Sequence, residues 1–341
     1  MKIRRVVAGS FLLALVAAGA AGGWAVRELR TPHAGWTGHS VDVILEPGLS
    51  ARSMFQRLAE RGVIRHPGLL RLWVRYRDDP SALHAGEYRF DRPRTPLGVL
   101  DMLRRGDVLL HSVTLPEGLE LPEIAQRVAE AGFGPAEALL AVFDDPAPII
   151  DLDPEATDLE GYLFPDTYRF PRHTTPATIA GAMVERFRAA AVPEIVVGAE
   201  RLGLSLREAV VLASLIEKET SVPEERGRIS RVFHNRLELG MRLQCDPTVR
   251  YALLRAGRPV GKLTFRDLEF ESPWNTYRIF GLPRGPIASP GLASLLAAVK
   301  PPAGDDLYFV AAPGGGHRFS RNLAGHQAAV AEWRRYSRSS R

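Results

Sequence analysis

Apolar residues follow three different spacings along the chain, and each spacing predicts a different kind of element. An uncharged run fills residues 6–26, short alternating runs begin at residues 43 and 113, and helical spacing dominates beyond residue 151. A long continuous run predicts a membrane helix, alternation predicts strands, and recurrence every three or four residues predicts amphipathic helices. The chain is therefore predicted to be α+β, with an N-terminal transmembrane helix, a small βααβ module and a larger mixed α/β domain.

Residues 1–27 are predicted to form a membrane anchor. The uncharged run Val6–Val26 holds 21 residues, and at about 1.5 Å per residue it can cross a hydrocarbon layer of about 30 Å. A signal peptide with a cleavage site near Ala18-Gly19-Ala20 is the alternative, but its apolar core is usually only about 7 to 15 residues long. Lys2, Arg4 and Arg5 precede the run and favour a cytoplasmic N-terminus. We therefore expect a single-pass protein of the cell inner (cytoplasmic) membrane whose remaining residues lie in the periplasm.

Two segments beyond the anchor repeat each other. "VILEPGLSARSMFQRLAERG" at 43–62 and "VTLPEGLELPEIAQRVAEAG" at 113–132 match at an offset of 70 residues, with nine identical positions. Each copy predicts a short strand, a turn and a helix. A second helix and a closing strand near residues 84–90 complete a βααβ unit around the first copy, similar to a LysM-like glycan-binding module. The predicted organisation is an anchor, a stalk, this module, a linking second repeat and a catalytic domain, at 1–27, 28–40, 41–110, 111–150 and 151–341.

Charge and cysteine content exclude several classes of function. There are 44 basic and 39 acidic residues, and the net charge of +5 is too small to indicate nucleic-acid binding. The single cysteine, Cys245, rules out an intramolecular disulfide and a cysteine-rich metal site. His317 and His326 are too far apart in sequence to suggest a metal pair, and no nucleophile elbow or phosphate-binding loop occurs. We expect neither metal nor cofactor.

The stretch "LASLIEKET" contains the strongest candidate for chemistry. It lies in a helix predicted from Ser205 to Thr220, which opens with a capping box of Ser205 and Glu208. At about 100° per residue, Glu217 falls on the apolar stripe, while Glu219 lies about 160° away. A carboxyl group held against hydrocarbon resists ionisation, which is the state that a general acid needs. The projection thus selects Glu217 as the buried carboxyl group and as the candidate general acid.

A purely structural role for Glu217 is the alternative on the same geometry. The carboxylate could close the last helical turn or pair with Arg228 or Arg231, and the helical projection does not separate this from catalysis. The same projection predicts that Lys218 and Glu219 are solvated.

Polar loops around this helix supply candidate sugar contacts. Asp246 and Pro247 look like the N-cap and first residue of a helix, so capping competes with substrate binding at Asp246. Thr276 lies in the loop at 272–291, which is too long and too rich in Pro and Gly for a plain connector. Core packing competes with sugar stacking at Tyr162 and Tyr168. The candidate substrate-binding residues are Tyr162, Asp166, Asn235, Gln244, Asp246, Asn275 and Tyr277.

Five blocks in order resemble the membrane-anchored endolytic murein transglycosylases, the YceG-like family. They are "EGYLFPDTY", "LASLIEKET", "ERGRISRVFHNRLELGMRLQCDPTVRYAL", "NTYRIFGLPRGPIASPG" and "LYFVAAPGGGHRFSRNLAGH", and with the anchor and module they cover nearly the whole chain. The resemblance implies that the first glutamate of the E-K-E-[ST] motif, Glu217, is catalytic. Cys245 replaces the small polar residue that the family often has, and its thiol could create a reactive site near the cleft.

The resemblance also implies a reaction. Glu217 would protonate the β-1,4 bond between N-acetylmuramic acid and N-acetylglucosamine in nascent peptidoglycan, then accept the proton of the muramoyl C6 hydroxyl, leaving a 1,6-anhydro end. The expected partners are glycan strands, the membrane and peptidoglycan synthases, and the expected role is to limit strand length. Two alternatives remain: a glycoside hydrolase with Asp246 or Glu269 as the second carboxylate, and a non-catalytic peptidoglycan-binding scaffold.

Overall fold

The computed structural model describes the backbone of residues 2–77 and 83–339 and the side chains of residues 10–76 and 83–338. Helices and small two-stranded sheets alternate along the chain, which confirms the predicted α+β class. The chain divides into two units: the first comprises Met1–His111 and Arg169–His173, and the second comprises Ser112–Tyr168 and Thr174–Arg341. The structure does not separate residues 112–150 from the second unit, and the predicted domain boundaries stay predictions.

The first unit contains the predicted βααβ module. Its two strands pair antiparallel, from Val41 opposite Phe90 to Leu45 opposite Gly86. Almost completely buried side chains fill the space between this sheet and the helices: Phe55, Leu58, Leu70, Tyr88 and Phe90. The elements are α1 (Lys2–Arg30), β1 (Val41–Leu45), α2 (Ala51–Glu60), α3 (Pro67–Arg77), β2 (Gly86–Phe90), α4 (Pro96–Arg105) and the start of β3 (Leu110–Thr114).

The predicted anchor is a helix that ends against the module. Its segment Ser10–Arg30 is long and apolar enough to cross a membrane. At the end of α1, Trp24 packs edge-on against His66 and Glu28 pairs with Arg65 at 3.3 Å. The segment predicted as a stalk is also hydrogen-bonded to the module, since the amide of His33 donates to the carbonyl of Arg94 at 2.9 Å.

The two sequence repeats have the same local structure. Gly48 and its counterpart Gly118 both have positive φ, at 83° and 78°, and so do Gly62 and Gly132, at 76° and 88°. Equivalent hydrogen bonds end both helices: the amide of Gly62 donates to the carbonyl of Ala59, and the amide of Gly132 donates to the carbonyl of Ala129. Buried positions correspond as well: Leu45, Met54 and Leu58 match Leu115, Ile124 and Val128. The predicted strand-turn-helix is therefore confirmed in both copies.

Helix α9 (Leu206–Glu219) is the central helix of the second unit. Every residue from Ala209 to Ile216 is buried, and helices before and after it in the sequence pack around it. The predicted Ser205–Glu208 capping box is present. The other elements are the end of β3, α5 (Leu121–Glu130), α6 (Ala136–Phe143), the start of β4 (Thr167–Pro171), α7 (Pro176–Ala190), α8 (Val192–Leu202), α10 (Arg226–Glu238), α11 (Asp246–Arg255), α12 (Phe265–Leu268), α13 (Leu292–Val299), β5 (Tyr308–Ala311), β6 (His317–Ser320) and α14 (Leu323–Ser339).

Candidate active site

The last residue of α9, Glu219, lies in a cleft of about 440 Å³. The cleft is formed by the loop before α11, the loop after α12, the β5–β6 hairpin and the start of α14. We call it the Glu219 cleft. Its polar lining residues are Glu219, Arg236, Gln244, Asp246, Tyr277, Tyr308, His317 and His326.

Glu219 is a carboxyl group in this cleft with a raised pKa. Burial and the neighbouring negative charge of Asp246 raise the pKa of Glu219 to about 7, although a hydrogen bond from the Cys245 thiol, His317 and the Arg236 guanidinium oppose the rise. A carboxyl with a pKa near 7 can both donate and accept a proton at neutral pH, as acid-base catalysis requires. The sequence-based prediction that Glu219 is solvated is therefore wrong.

Three predicted sugar contacts do line this cleft. The Tyr277 hydroxyl donates to Asp246 Oδ1 at 2.6 Å, and Gln244 is exposed beside them with a left-handed backbone, φ 52°. Asp246 is the first residue of α11 rather than its N-cap, a position held by Cys245. The capping explanation for Asp246 is therefore wrong, and its carboxylate instead faces the cleft.

Threonine hydrogen bonds fix the loop that carries these residues. Thr276 Oγ1 accepts from the Cys245 amide at 2.9 Å, and the Thr276 carbonyl accepts from the Gln244 amide at 3.2 Å. The hydroxyls of Thr248 and Thr276 lie 2.9 Å apart. A non-glycine residue in the left-handed region needs such external support. The network therefore holds Gln244 and Asp246 in place next to Glu219.

The Cys245 thiol is a structural neighbour of the acid rather than a reactive group. Cys245 is buried, and burial together with Glu219 raises the pKa of its thiol well above the ordinary value. Because the thiolate is the reactive form of cysteine, the prediction of a reactive site here is not supported.

Glu217 is buried as predicted, but in a different environment from Glu219. Its side chain is only 7% exposed and lies 3.7 Å from the Arg226 guanidinium, and its Oε2 accepts from the amide of Gly291 at 3.0 Å. Arg226 also lies 3.8 Å from Glu117. These contacts match the structural alternative, with Arg226 in place of the suggested Arg228 or Arg231.

A second, more open groove of about 870 Å³ runs past these residues. Its lining residues include Pro116, Glu117, Gly118, Glu217, Glu219 and Arg226. Glu219 therefore borders both the Glu219 cleft and this groove, which we call the Glu217 groove.

Four predicted contacts lie outside the Glu219 cleft. Asn275 is fully buried, donates to the carbonyls of Leu268 and Phe270, and accepts from the Tyr277 amide. Tyr162 is buried, and its hydroxyl donates to Asp153. The polar groups of both residues form hydrogen bonds inside the protein and are not accessible to a ligand.

The other two are partly accessible but engaged elsewhere. Asn235 donates to the carbonyls of Gly304 and Asp306 and so holds the segment before β5. Asp166 accepts from Arg186 at 2.6 Å. Glu269, the proposed second carboxylate of a hydrolase, is exposed and is not among the residues that line the cleft.

Sequence reasoning missed the other polar members of the cleft, among them Glu219 and His317. The readable signal for Glu219 was that the run from Ala209 to Ile216 contains no charged residue on any face, which is typical of a helix buried all round. Other segments of the chain can bury the end of such a helix. A helical projection that assumes one buried face and one exposed face does not predict this. For His317, no sequence signal indicated that Glu225 would be its partner.

Comparisons with known proteins agree with this architecture. Residues 43–332 match the model of the YceG-like family. The chain is similar to the endolytic murein transglycosylase of Bacillus subtilis (strain 168), with 32% identity over 306 residues that cover 85% of this chain and 84% of that protein. It is 28% identical over 322 residues to the endolytic murein transglycosylase of Streptococcus pneumoniae D39, covering 86% of this chain but only 58% of that protein. A crystal structure of a YceG-like protein from Listeria monocytogenes superposes with a TM-score of 0.58 and 31% identity, covering 86% of this chain and 99% of that one.

Proposed function

This chain belongs to the YceG-like family, and from that premise we propose that it is a peptidoglycan lytic transglycosylase. The family motif implies Glu217 as the acid-base residue, whereas on the geometry of the cleft we propose Glu219. The observation that carries the assignment is the position of Glu219, which lines both the polar Glu219 cleft and the Glu217 groove. Burial raises the pKa of this carboxyl group to about 7, which suits proton transfer in both directions. The curated relatives are endolytic murein transglycosylases, which supports the β-1,4 bond between N-acetylmuramic acid and N-acetylglucosamine as the target.

The reaction needs one carboxyl group that works twice. Protonated Glu219 gives its proton to the glycosidic oxygen as the bond from that oxygen to C1 of the muramoyl sugar breaks. The carboxylate then takes the proton of the C6 hydroxyl as O6 bonds to C1, so that the products are a free 4-hydroxyl and a 1,6-anhydro end. Intramolecular attack gains from proximity, and the substrate replaces the second carboxylate of a hydrolase.

The surrounding residues suit this sequence of steps. The negative charge of Asp246 raises the pKa of Glu219 and would also favour the positive charge that develops on the sugar ring. Gln244 and Tyr277 are placed to hold sugar hydroxyl or acetamido groups. The extension of open space on both sides of Glu219, into the Glu219 cleft and the Glu217 groove, suits a strand that continues past the cleaved bond.

We further propose the cellular setting. Helix α1 is compatible with single-pass anchoring, and the basic residues before it favour a cytoplasmic N-terminus. The catalytic unit would then act outside the inner membrane on strands as they leave peptidoglycan synthases, and would limit their length.

The test compares two isosteric variants of the full-length protein in detergent. Wild type, Glu219→Gln and Glu217→Gln are incubated with purified peptidoglycan, and the products are identified by mass spectrometry. We expect anhydro-muramoyl ends from wild type, a loss of about 100-fold or more for Glu219→Gln, and retained activity for Glu217→Gln once its fraction folded is matched by thermal melting.

Each other outcome has a definite meaning. Loss of activity only in a folded Glu217→Gln would return the acid role to Glu217. Reducing ends in place of anhydro ends would make the protein a hydrolase, with Asp246 as the carboxylate available in the cleft. Binding without cleavage by wild type would support the scaffold.

A further inference from the structure

His317 and Glu225 form a close pair at the wall of the Glu219 cleft. The two oxygens of Glu225 accept from different donors of one residue: Oε1 from the backbone amide of His317 at 2.7 Å, and Oε2 from its Nδ1, also at 2.7 Å. Both side chains are mostly buried, with 16% and 17% of their surface exposed. This two-point contact fixes the imidazole relative to the carboxylate.

The chain around the pair is adapted to this contact. Gly316 has φ 68°, and a Cβ at this position would lie 2.5 Å from Glu225 Oε1, so the carboxylate can approach only because the residue is glycine. Phe309 packs edge-on against the His317 ring at 5.3 Å. Thr220, which follows Glu219, donates to Glu225 at 3.4 Å. The end of α9 and the β5–β6 hairpin are thus joined through Glu225.

The contact also fixes which ring nitrogen carries the proton. Burial acts to raise the pKa of Glu225, but the hydrogen bonds from His317 outweigh it and the pKa is lowered. An ionised carboxylate only accepts hydrogen bonds, so Nδ1 must be the protonated nitrogen. In the neutral ring Nε2 then carries a lone pair. Among the residues that the structure describes, none hydrogen-bonds to that nitrogen.

His317 lines the same cleft as Glu219. Since Nδ1 faces Glu225, the Nε2 edge is the one left for the cleft. We propose that His317 is a further catalytic residue, whose Nε2 accepts a hydrogen bond from an O–H or N–H group of the glycan bound against Glu219. Glu225 is its positioning residue. This inference rests on the proposed function.

The first variant, His317→Asn, distinguishes a role of His317 in contacting the substrate from a role only in holding the structure together. In His317→Asn the amide nitrogen takes the place of Nδ1 and can still donate to Glu225, but nothing replaces Nε2. We expect an unchanged melting temperature and a fall in kcat/KM of about 10- to 100-fold on uncrosslinked glycan strands, as for the loss of one strong hydrogen bond. Wild-type kcat/KM in folded His317→Asn would overturn the proposal.

The second variant inverts the tautomer without moving the ring. In Glu225→Gln one amide oxygen can still accept from the backbone amide of His317, so the NH₂ group faces Nδ1 and the ring proton moves to Nε2. Nitrogen NMR of labelled histidine reports the tautomer directly, and we expect about the same loss as in His317→Asn. Glu224→Gln, a change of the neighbouring exposed glutamate, is the matched control and should behave as wild type.

A conservative variant completes the test. Glu225→Asp keeps the carboxylate and therefore the Nδ1–H tautomer, and it should retain more activity than Glu225→Gln. If Glu225→Asp keeps the tautomer but is as inactive as Glu225→Gln, or if Glu225→Gln inverts the tautomer at full activity, the positioning role is wrong. Failure here is distinct from failure of the proposed function, which would appear as the wrong product from wild type.

Discussion

Glu160 is a buried carboxyl group that should make the stability of the second unit depend on pH. Its side chain lies in the core, where Oε2 accepts from the Leu121 amide at 3.2 Å and from the Tyr251 hydroxyl at 3.3 Å. Oε1 has no partner among the described residues. Burial, with the charges of Glu120 and Asp158 adding to it, raises the pKa of Glu160 to about 8. The neutral acid is thus the form that the fold accommodates.

The size of the effect follows from the difference between the folded and unfolded states. The pKa rises from 4.5 to about 8 on folding, and at about 1.4 kcal/mol per pH unit this corresponds to an upper bound on the order of 5 kcal/mol. Because the folded pKa is the higher one, this stabilisation is complete below pH 4.5 and is lost as the pH rises towards 8. Glu160→Gln removes the titration, since its amide oxygen can accept both hydrogen bonds that Oε2 accepts.

Thermal unfolding of full-length wild type and Glu160→Gln at several values between pH 5 and pH 9 measures this directly. We expect the variant to gain stability relative to wild type as the pH rises, by a few kcal/mol at pH 9. All other titrating groups are shared, so they cancel in the difference. Glu269→Gln, which alters an exposed carboxyl, should show no such trend. A flat difference between wild type and Glu160→Gln across the range would refute the reasoning.

Two further predictions test residues around the cleft. Asn275→Ala should destabilise the protein by about 2 to 4 kcal/mol, because a buried side chain with three hydrogen bonds is lost. The kcat/KM of the folded protein should stay near that of wild type. A variant that is stable but inactive would instead indicate that Asn275 contacts the substrate. Asp246→Asn removes a charge that raises the pKa of Glu219, so the alkaline limb of the kcat–pH profile should move down by about one pH unit. If the alkaline limb does not move, the charge of Asp246 does not control the pKa of Glu219.

The sequence by itself determined the elements and the family. Local signals were sufficient where the chain folds against its near neighbours: the Ser205–Glu208 capping box and the βααβ module both appear as predicted. The two repeats were recognised from their identical residues, and the glycines at their turns have a left-handed backbone. Blocks in order along the chain identified the family before any contact was known.

Only the tertiary structure decided which polar residues meet. Gln244, Tyr277 and His317 are far apart in sequence but border one cleft with Glu219, whereas Asn275, two residues before Tyr277, is completely buried. Neighbouring residues in an irregular loop can face opposite ways, and sequence spacing contains no rule for their directions.

The two glutamates of α9 make the same point most directly. Helical spacing separated Glu217 from Glu219 correctly as different faces, and Glu217 is indeed buried. However, burial alone did not determine their surroundings, because Glu217 meets Arg226 and an amide, while burial and the charge of Asp246 raise the pKa of Glu219. Those partners come from segments outside the helix, so the electrostatic environment of each carboxyl group is a property of the assembled fold.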